Sequence, residues 1–400
     1  MIVASPYSQR LAWPRSGLSF SGACRRNAPR ATPRRQSRKS FLRDFFSKKS
    51  LLIPISLCLT AAAPAPVVLH LSAPRQAQFA GYYVAEARGF YARAGLAVTI
   101  RQSPPESDDV PPAPGADIWS APLGPALAAA ASGLALTNIA QIFHHPALAL
   151  FCRRDSGIRS PTDFHNHRIG VWPGIPAHVI ALWLGRIANG PATLVPTPRL
   201  PGLAGVAPLL SQHLACLTGL TYDQGVTLTE QGTDRGTLIV FPLAEYGLAP
   251  PADGLWVRTD TLSDPEKRAL YTRFLAASLA GWRYAIAHPK IAVTDTIGPT
   301  PASEPATLRQ TRMFAIITKL MESRLQHLGY LEPAAYSRAI TMLLPPPPKP
   351  LSAWPEHAYA HEIWQAAEKQ AQKQAGRKFL LFLKKKKQKE FTYNPASDPK

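Results

Sequence analysis

Residues Gln76 to Ile100, QAQFAGYYVAEARGFYARAGLAVTI, constrain the fold of this chain more than any other stretch. They follow a short apolar run, VVLHL, from Val67 to Leu71. In order they hold a loop carrying an amide and aromatics, a helical segment stopped by Gly89, and a second apolar run, AVTI. Short apolar runs on either side of a helical period predict a β-α-β unit. The first loop of such a unit lies at the carboxyl end of its strand, where open α/β sheets place ligands.

The alternation continues down the chain. Strands are expected at VVLHL, AVTI, ADIWS, ALALFC, RIGVW, TLVP, LACLTGL, TLIVF and GLWVRTD. Helices are expected near 79–88, 123–133, 177–189 and 203–213, then 264–288, 304–328 and 333–343. Short apolar strands spaced by helices predict an α/β protein with a mostly parallel sheet. The order of features predicts two lobes joined by a hinge, with a cleft between the strand ends. Residues 67–165 and 244–345 build lobe one, and 166–243 build lobe two. Pro345 to Pro348, with Lys349 and Pro350, end the compact region, because proline continues neither a helix nor a ladder. Residues 346–400 are expected to add a terminal helix and a disordered basic tail, with KKKK at 384–387.

The formal charge of +20 invites a nucleic-acid reading, and its distribution argues against one. Residues 1–63 carry 12 Lys/Arg and one Asp, and 366–400 carry 10 against three acids, so the span between them holds a net +2. A near-neutral globular middle offers no basic face for phosphate, and no nucleic-acid partner is expected. The basic amino terminus has a different use. It leads through Lys49 into LLIPISLCLTAAA, Leu51 to Ala63, and the layout of basic region, apolar core and small residues predicts an export signal within a leader over 1–66. The twin-arginine-like stretch Ser37 to Arg43 leaves the general secretory and twin-arginine routes both open. Of the four cysteines, Cys24 and Cys58 lie in the leader; Cys152 and Cys216 sit in strand-like apolar runs and are expected as buried, unpaired thiols.

Candidate ligand-binding residues cluster at predicted strand ends. Gln78 offers a donor and an acceptor on one amide, suited to a heteroaromatic ring bearing a ring nitrogen beside an amino group. Phe79 and Tyr82 provide flat faces. Trp119 and Ser120, in GADIWSAPLG, fall where a strand should meet the cleft. In GVWPGIP, Trp172 is a stacking candidate, and Gly174 permits close backbone approach before a helix start. Tyr222 and Asp223 complete the set, in LTGLTYDQG. No Walker-type loop, His-Glu-x-x-His or Gly-x-Ser-x-Gly occurs, and the histidine pair His165 and His167 lacks the neighbours that would complete a metal site. No cofactor or metal is expected.

The block from Gln76 to Ile100 resembles the start of periplasmic solute-binding proteins for the pyrimidine precursor of thiamine, a family that includes the fungal hydroxymethylpyrimidine phosphate synthases. The resemblance continues through LTNIAQIFHHPAL, RDSGIRSPTDF, RIGVWPG and ASLAGWRYAIAHP, and covers about 67–345. It implies a two-lobed, type II-like periplasmic-binding-protein fold with a hinge and an interlobe cleft. Two departures stand out. The family's glycine-rich stretch after the second strand is replaced by SPPESDDVPPAPG. Its Tyr-Asn-Glu becomes Tyr222-Asp223-Gln224, so the acid arrives one position early. The fungal synthases use a lysine-bound pyridoxal phosphate and consume a histidine; Ala121 stands at the lysine's position here and Pro125 at the histidine's, and neither can do that chemistry. The resemblance therefore implies a binding protein, not an enzyme. It would be a monomer in the periplasm, carrying a thiamine pyrimidine precursor or similar small heteroaromatic to the permease subunits of an ABC importer. Two alternatives stay open: an enzyme of thiamine-pyrimidine metabolism with another mechanism, and a sensory binding domain.

Overall fold

Two five-stranded sheets carry the fold. The structure, a computed structural model, describes residues 63–104, 114–187, 190–233, 236–299, 302–322, 327–343 and 357–372. In chain order the strands are β1 (Ala65–Leu71), β2 (Leu96–Gln102), β3 (Ile118–Ala121), β4 (Leu136–Gln141), β5 (Leu148–Arg153), β6 (Arg168–Val171), β7 (Thr193–Pro196), β8 (Cys216–Leu220), β9 (Leu238–Pro242) and β10 (Gly254–Arg258). The helices are α1 (Ala80–Ala87), α2 (Phe90–Arg93), α3 (Leu123–Ala131), α4 (Ile175–Ile187), α5 (Gly202–Leu210), α6 (Gln224–Glu230), α7 (Pro265–Ala287), α8 (Pro289–Ile297), α9 (Glu304–Glu322) and α10 (Pro333–Leu343). A further helix occupies 361–372. Residues 1–62, 105–113 and 373–400, which hold the expected export signal, most of SPPESDDVPPAPG and the expected basic tail, lie outside the described residues.

The first sheet runs β2-β1-β3-β10-β4 and the second β7-β6-β8-β5-β9. The two follow one plan. In each, three strands pair in parallel, and a fourth, β10 or β5, runs antiparallel to both of its neighbours. The sheets are thus more mixed than the sequence pattern predicted. The reason is the route of the chain. Strands that follow a helix inside a lobe return in the same direction, whereas β5 and β10 are the first strands entered after a direct crossing from the other lobe.

Two boundaries differ from expectation. LTNIAQ forms β4, a strand the sequence reading did not assign, and α2, α6 and α8 are additional helices. The strand ALALFC, assigned with residues 67–165 to lobe one, pairs with β8 and β9 in the second sheet as β5. The first crossover is therefore 142–147, and the second is 243–253.

The crossovers are bonded to one another. Ile142 N and Phe143 N donate to the carbonyl of Asp253 at 2.9 and 3.3 Å. The Gln141 amide donates to the carbonyl of Phe143 at 3.2 Å and also to that of Ala252. Gly254 follows directly. A Cβ there would lie 2.5 Å from Asn138 Nδ2 and 2.8 Å from Gln141 Oε1, so the amides reach the hinge backbone only because the residue is glycine.

The β-α-β unit is anchored by an unusually close helix pair. A Cβ on Gly81 of α1 would fall 2.1 Å from the Trp282 ring, and one on Gly281 of α7 would fall 2.3 Å from the Gly81 carbonyl. Helix α7 itself starts where Asp264 accepts from Glu266 N at 2.8 Å with Pro265 in the first turn, a signature of helix entry. The close crossing brings Trp282 against Tyr82 and Phe143.

Cys152 and Cys216 are not free thiols. They face each other across the β5–β8 pair, with Cα atoms 4.0 Å apart, and form a disulfide. Their separation of 64 residues hides that register from any local reading.

Candidate functional site

The residues expected to bind ligand divide into a group drawn together between the lobes and a group held elsewhere. Tyr82 on α1 meets Trp282 of α7 edge to face, with ring centroids 5.7 Å apart. Trp282 meets Phe143 of the first crossover at 6.0 Å, and Phe143 meets Tyr222 at 6.4 Å, both edge to face. This chain of rings leads from the first lobe through the hinge into the second. Trp172, Leu220, Tyr222 and Val226 of the second lobe share one buried cluster with Tyr82, Phe143 and Trp282. Burial holds the phenols of Tyr82 and Tyr222 well above their ordinary range, and the charge of Asp253 adds to the effect at both.

A polar pair lies against these rings. Gln78 follows the end of β1 and is buried, with 2 % of its surface exposed. Its amide nitrogen donates to Oδ2 of Asp253, and its oxygen accepts from Gln76 Nε2 at 2.9 Å. Asp253, 4 % exposed, closes the second crossover immediately before β10. Burial pushes its carboxyl up to about 6, while Gln78 and the charge of Arg199 oppose the rise. Among the described residues its second oxygen, Oδ1, is buried without a hydrogen-bond partner. Arg199, in the loop after β7, places its guanidinium 5.1 Å from the centre of the Trp172 ring.

Asp223 has a different setting. Its Oδ1 accepts from Arg309 of α9 at 2.6 Å and its Oδ2 from Gln224 Nε2 at 3.0 Å. Burial raises its carboxyl, and Arg309 and Arg199 pull it back. Arg309 also reaches Glu230 at 2.9 Å, and Arg312 lies 3.5 Å from the same carboxylate. Helix α9 meanwhile touches the ligand loop, since Gln310 Oε1 accepts from Ala77 N at 2.7 Å. One helix thus bonds to the Gln78 loop and to the second lobe at once.

The remaining expected residues fall around this centre. Ser120 Oγ accepts from Ser72 N at 3.0 Å and joins the carboxyl ends of β1 and β3. Gly174 takes a left-handed φ of 78° just before α4, with open space where a Cβ would point. Phe79 is buried in the core of the first lobe at the start of α1. Trp119 packs in a separate cluster with Trp256, Leu123 and Tyr336, opposite Trp256 in the β3–β10 register. The structure therefore gathers Phe79, Tyr82, Trp172 and Tyr222 in one buried cluster, with Gln78 and Asp223 alongside, and puts Trp119 in a separate one.

Sequence reasoning missed Asp253, Arg199 and Phe143 as parts of this site. Asp253 lies in Pro250-Pro251-Ala252-Asp253-Gly254, which reads locally as a turn, and its partner Gln78 is 175 residues away. An acid just before a strand start would have been the one available signal.

With this geometry in place, the likeness to known proteins takes on meaning. The profile of the family described as NMT1/THI5 like matches residues 76–292. Riboflavin-binding protein RibY of Chloroflexus aurantiacus is 27 % identical over 244 residues, covering 57 % of this chain and 67 % of that protein. A solved structure from Bordetella bronchiseptica RB50 superposes with a TM-score of 0.56 at 16 % identity, covering 76 % of this chain and 97 % of the other. The periplasmic sulfonate-binding protein SsuA of Methylobacillus flagellatus KT gives 0.54 at 13 % identity, covering 79 % and 96 %. The two structural likenesses concern the fold, which is that of the two-lobed periplasmic binding proteins. The profile spans more than half of the chain from the Gln78 loop to α8, and the protein is a member of the NMT1/THI5-like family.

Proposed function

We propose that the protein is the solute-binding component of an ABC importer and captures a small heteroaromatic molecule between its lobes for delivery to the permease. The observation that supports it most is the run of rings from Tyr82 to Tyr222, which crosses the hinge and ends beside the buried Gln78–Asp253 pair. Flat faces with one polar edge suit a flat ring with one polar edge. Each stacked or edge contact adds about 0.5–1.5 kcal/mol beyond area burial. Within this class we place a thiamine pyrimidine precursor first. Riboflavin is the second reading, supported by the likeness to RibY and by the pyrimidine-type edge of its ring system.

A sulfonate fits less well. Its charge calls for donors and cations; Arg309 is engaged by Asp223 and Glu230, and the charge of Arg199 over Trp172 is set against two buried carboxylates, Asp223 and Asp253. The Cys152–Cys216 disulfide supports an oxidising compartment such as the periplasm. Among the described residues no helix is long and apolar enough to cross a membrane.

Thermal melts with hydroxymethylpyrimidine, riboflavin and an aliphatic sulfonate test the reading, with chromatography of the ligand afterwards. A ligand at a hundred times its Kd stabilises by about 2.7 kcal/mol. The expected result is a rise in Tm with one of the heteroaromatics, which is recovered unchanged. Stabilisation by the sulfonate alone, or conversion of the ring compound, would count against it.

A further inference from the structure

Asp253 is an awkward residue to keep for stability alone. It is almost wholly buried, one oxygen is occupied by Gln78, and the other makes no hydrogen bond among the described residues. Buried acceptors left unsatisfied are costly, and a neutral side chain would accept from Gln78 equally well. The backbone around it is tied to the other crossover. Its own carbonyl receives two N–H groups from the other crossover, and the Asn138 and Gln141 amides pack against Gly254. The carboxylate is therefore presented where the two crossovers are bonded to one another. Tyr82 of α1, Tyr222 after β8 and Arg199 after β7 are coupled to its charge. The two tyrosines are the ends of the ring chain, and Arg199 lies over Trp172.

From these observations we infer that Asp253 determines ligand specificity: its Oδ1 accepts a hydrogen bond from an N–H on the polar edge of the bound heteroaromatic ring, and Gln78 orients the carboxylate for it. The inference rests on the proposed function and narrows it to rings that carry an edge N–H. Two sources share that chemistry. An aminopyrimidine offers its exocyclic amine, and a flavin offers the imide N–H of its pyrimidine-type ring. A ring whose edge holds acceptors only would face Oδ1 lone pair to lone pair and is rejected.

The experiment uses calorimetric titration of wild type and Asp253→Asn with hydroxymethylpyrimidine bearing a free amino group, its N,N-dimethylamino analogue, riboflavin, and riboflavin methylated on the imide nitrogen. In Asp253→Asn the amide oxygen can keep the bond from Gln78, which turns the NH2 group toward the ligand and replaces the acceptor with a donor. Wild type should bind at least one parent compound about 10- to 100-fold more tightly than its methylated partner, the range for a charge-assisted hydrogen bond. The variant should lose most of that preference while binding the parent more weakly by a similar factor. Which parent is preferred identifies the source of the N–H.

If wild type binds a parent and its methylated partner equally, the inference is overturned while the proposed function stands. It is overturned in the same way if the variant holds the parent as tightly as wild type does. The wild-type comparison of parent and methylated compound decides the matter even should the variant fail to fold. If no ring compound binds wild type at all, the proposed function falls, and the inference falls with it.

Discussion

Replacing Asp253 by asparagine should make the unliganded protein more stable and the same protein a poorer binder. The folded carboxyl titrates at about 6, against about 3.9 in an unfolded chain. A difference of about two units corresponds to about 3 kcal/mol. The sign follows from which state holds the proton more tightly. Between about pH 4 and 6 the folded protein binds it and the unfolded chain has released it, so the stability contributed by this group falls as pH rises. Below about pH 4 the penalty is absent; above about pH 6 it is complete. Tyr82 and Tyr222 do not titrate in that window, because burial holds both phenols far above it. The value of about 6 already includes the charge-assisted bond from Gln78, so a neutral amide in the same place should gain up to about 3 kcal/mol at neutral pH. Urea titrations of wild type and variant at pH 4 and pH 7.5 measure it. The variant should exceed wild type at the higher pH and approach it at the lower. A variant destabilised by the same amount at both values would refute the reasoning, since Asp253 would then be acting through packing and not through its buried charge.

Three other substitutions probe separate parts of the account. Gly281→Ala forces a methyl to within 2.3 Å of the Gly81 carbonyl, and should cost about 1–3 kcal/mol by overpacking and lower ligand affinity by displacing Trp282; melts and titration check both. Arg309→Ala removes the partner that Asp223 and Glu230 share, and should cost about 2–3 kcal/mol, less than a fully buried pair because the side chains are partly exposed; adding Asp223→Asn should recover part of the loss in a double-mutant cycle. Peptide mapping without reductant should show Cys152 linked to Cys216. The Cys152→Ser, Cys216→Ser double variant should lose about 4 kcal/mol in the chain-entropy account of a cross-link of 64 residues.

What was legible in the sequence follows the range of the interactions. The β1-loop-α1-β2 unit is set by residues within one stretch, so its period and its stop at Gly89 (φ 69°) could be read directly. The convergence of Gln78, Tyr82, Trp172 and Tyr222 could be anticipated because each sits near the end of an apolar run. The lobe boundary at 165 was misplaced because nothing within ALALFC says which sheet it joins; that depends on β8 and β9, more than 60 residues on. The disulfide depends on the same pairing. Asp253 was invisible for a related reason, since a proline-rich turn becomes a hinge only when a second crossover lies against it. Asp223 shows the converse, for the local pattern offered a free acid and the fold supplies Arg309 from 86 residues away.

The central claim is tested most directly by a crystal structure of the protein soaked or grown with hydroxymethylpyrimidine or riboflavin. The ring should lie between the lobes, in contact with Tyr82 or Tyr222, with an N–H within hydrogen-bonding distance of Asp253 Oδ1. A ring bound elsewhere on the molecule, or one in the cleft with that edge turned away from Asp253, would contradict it.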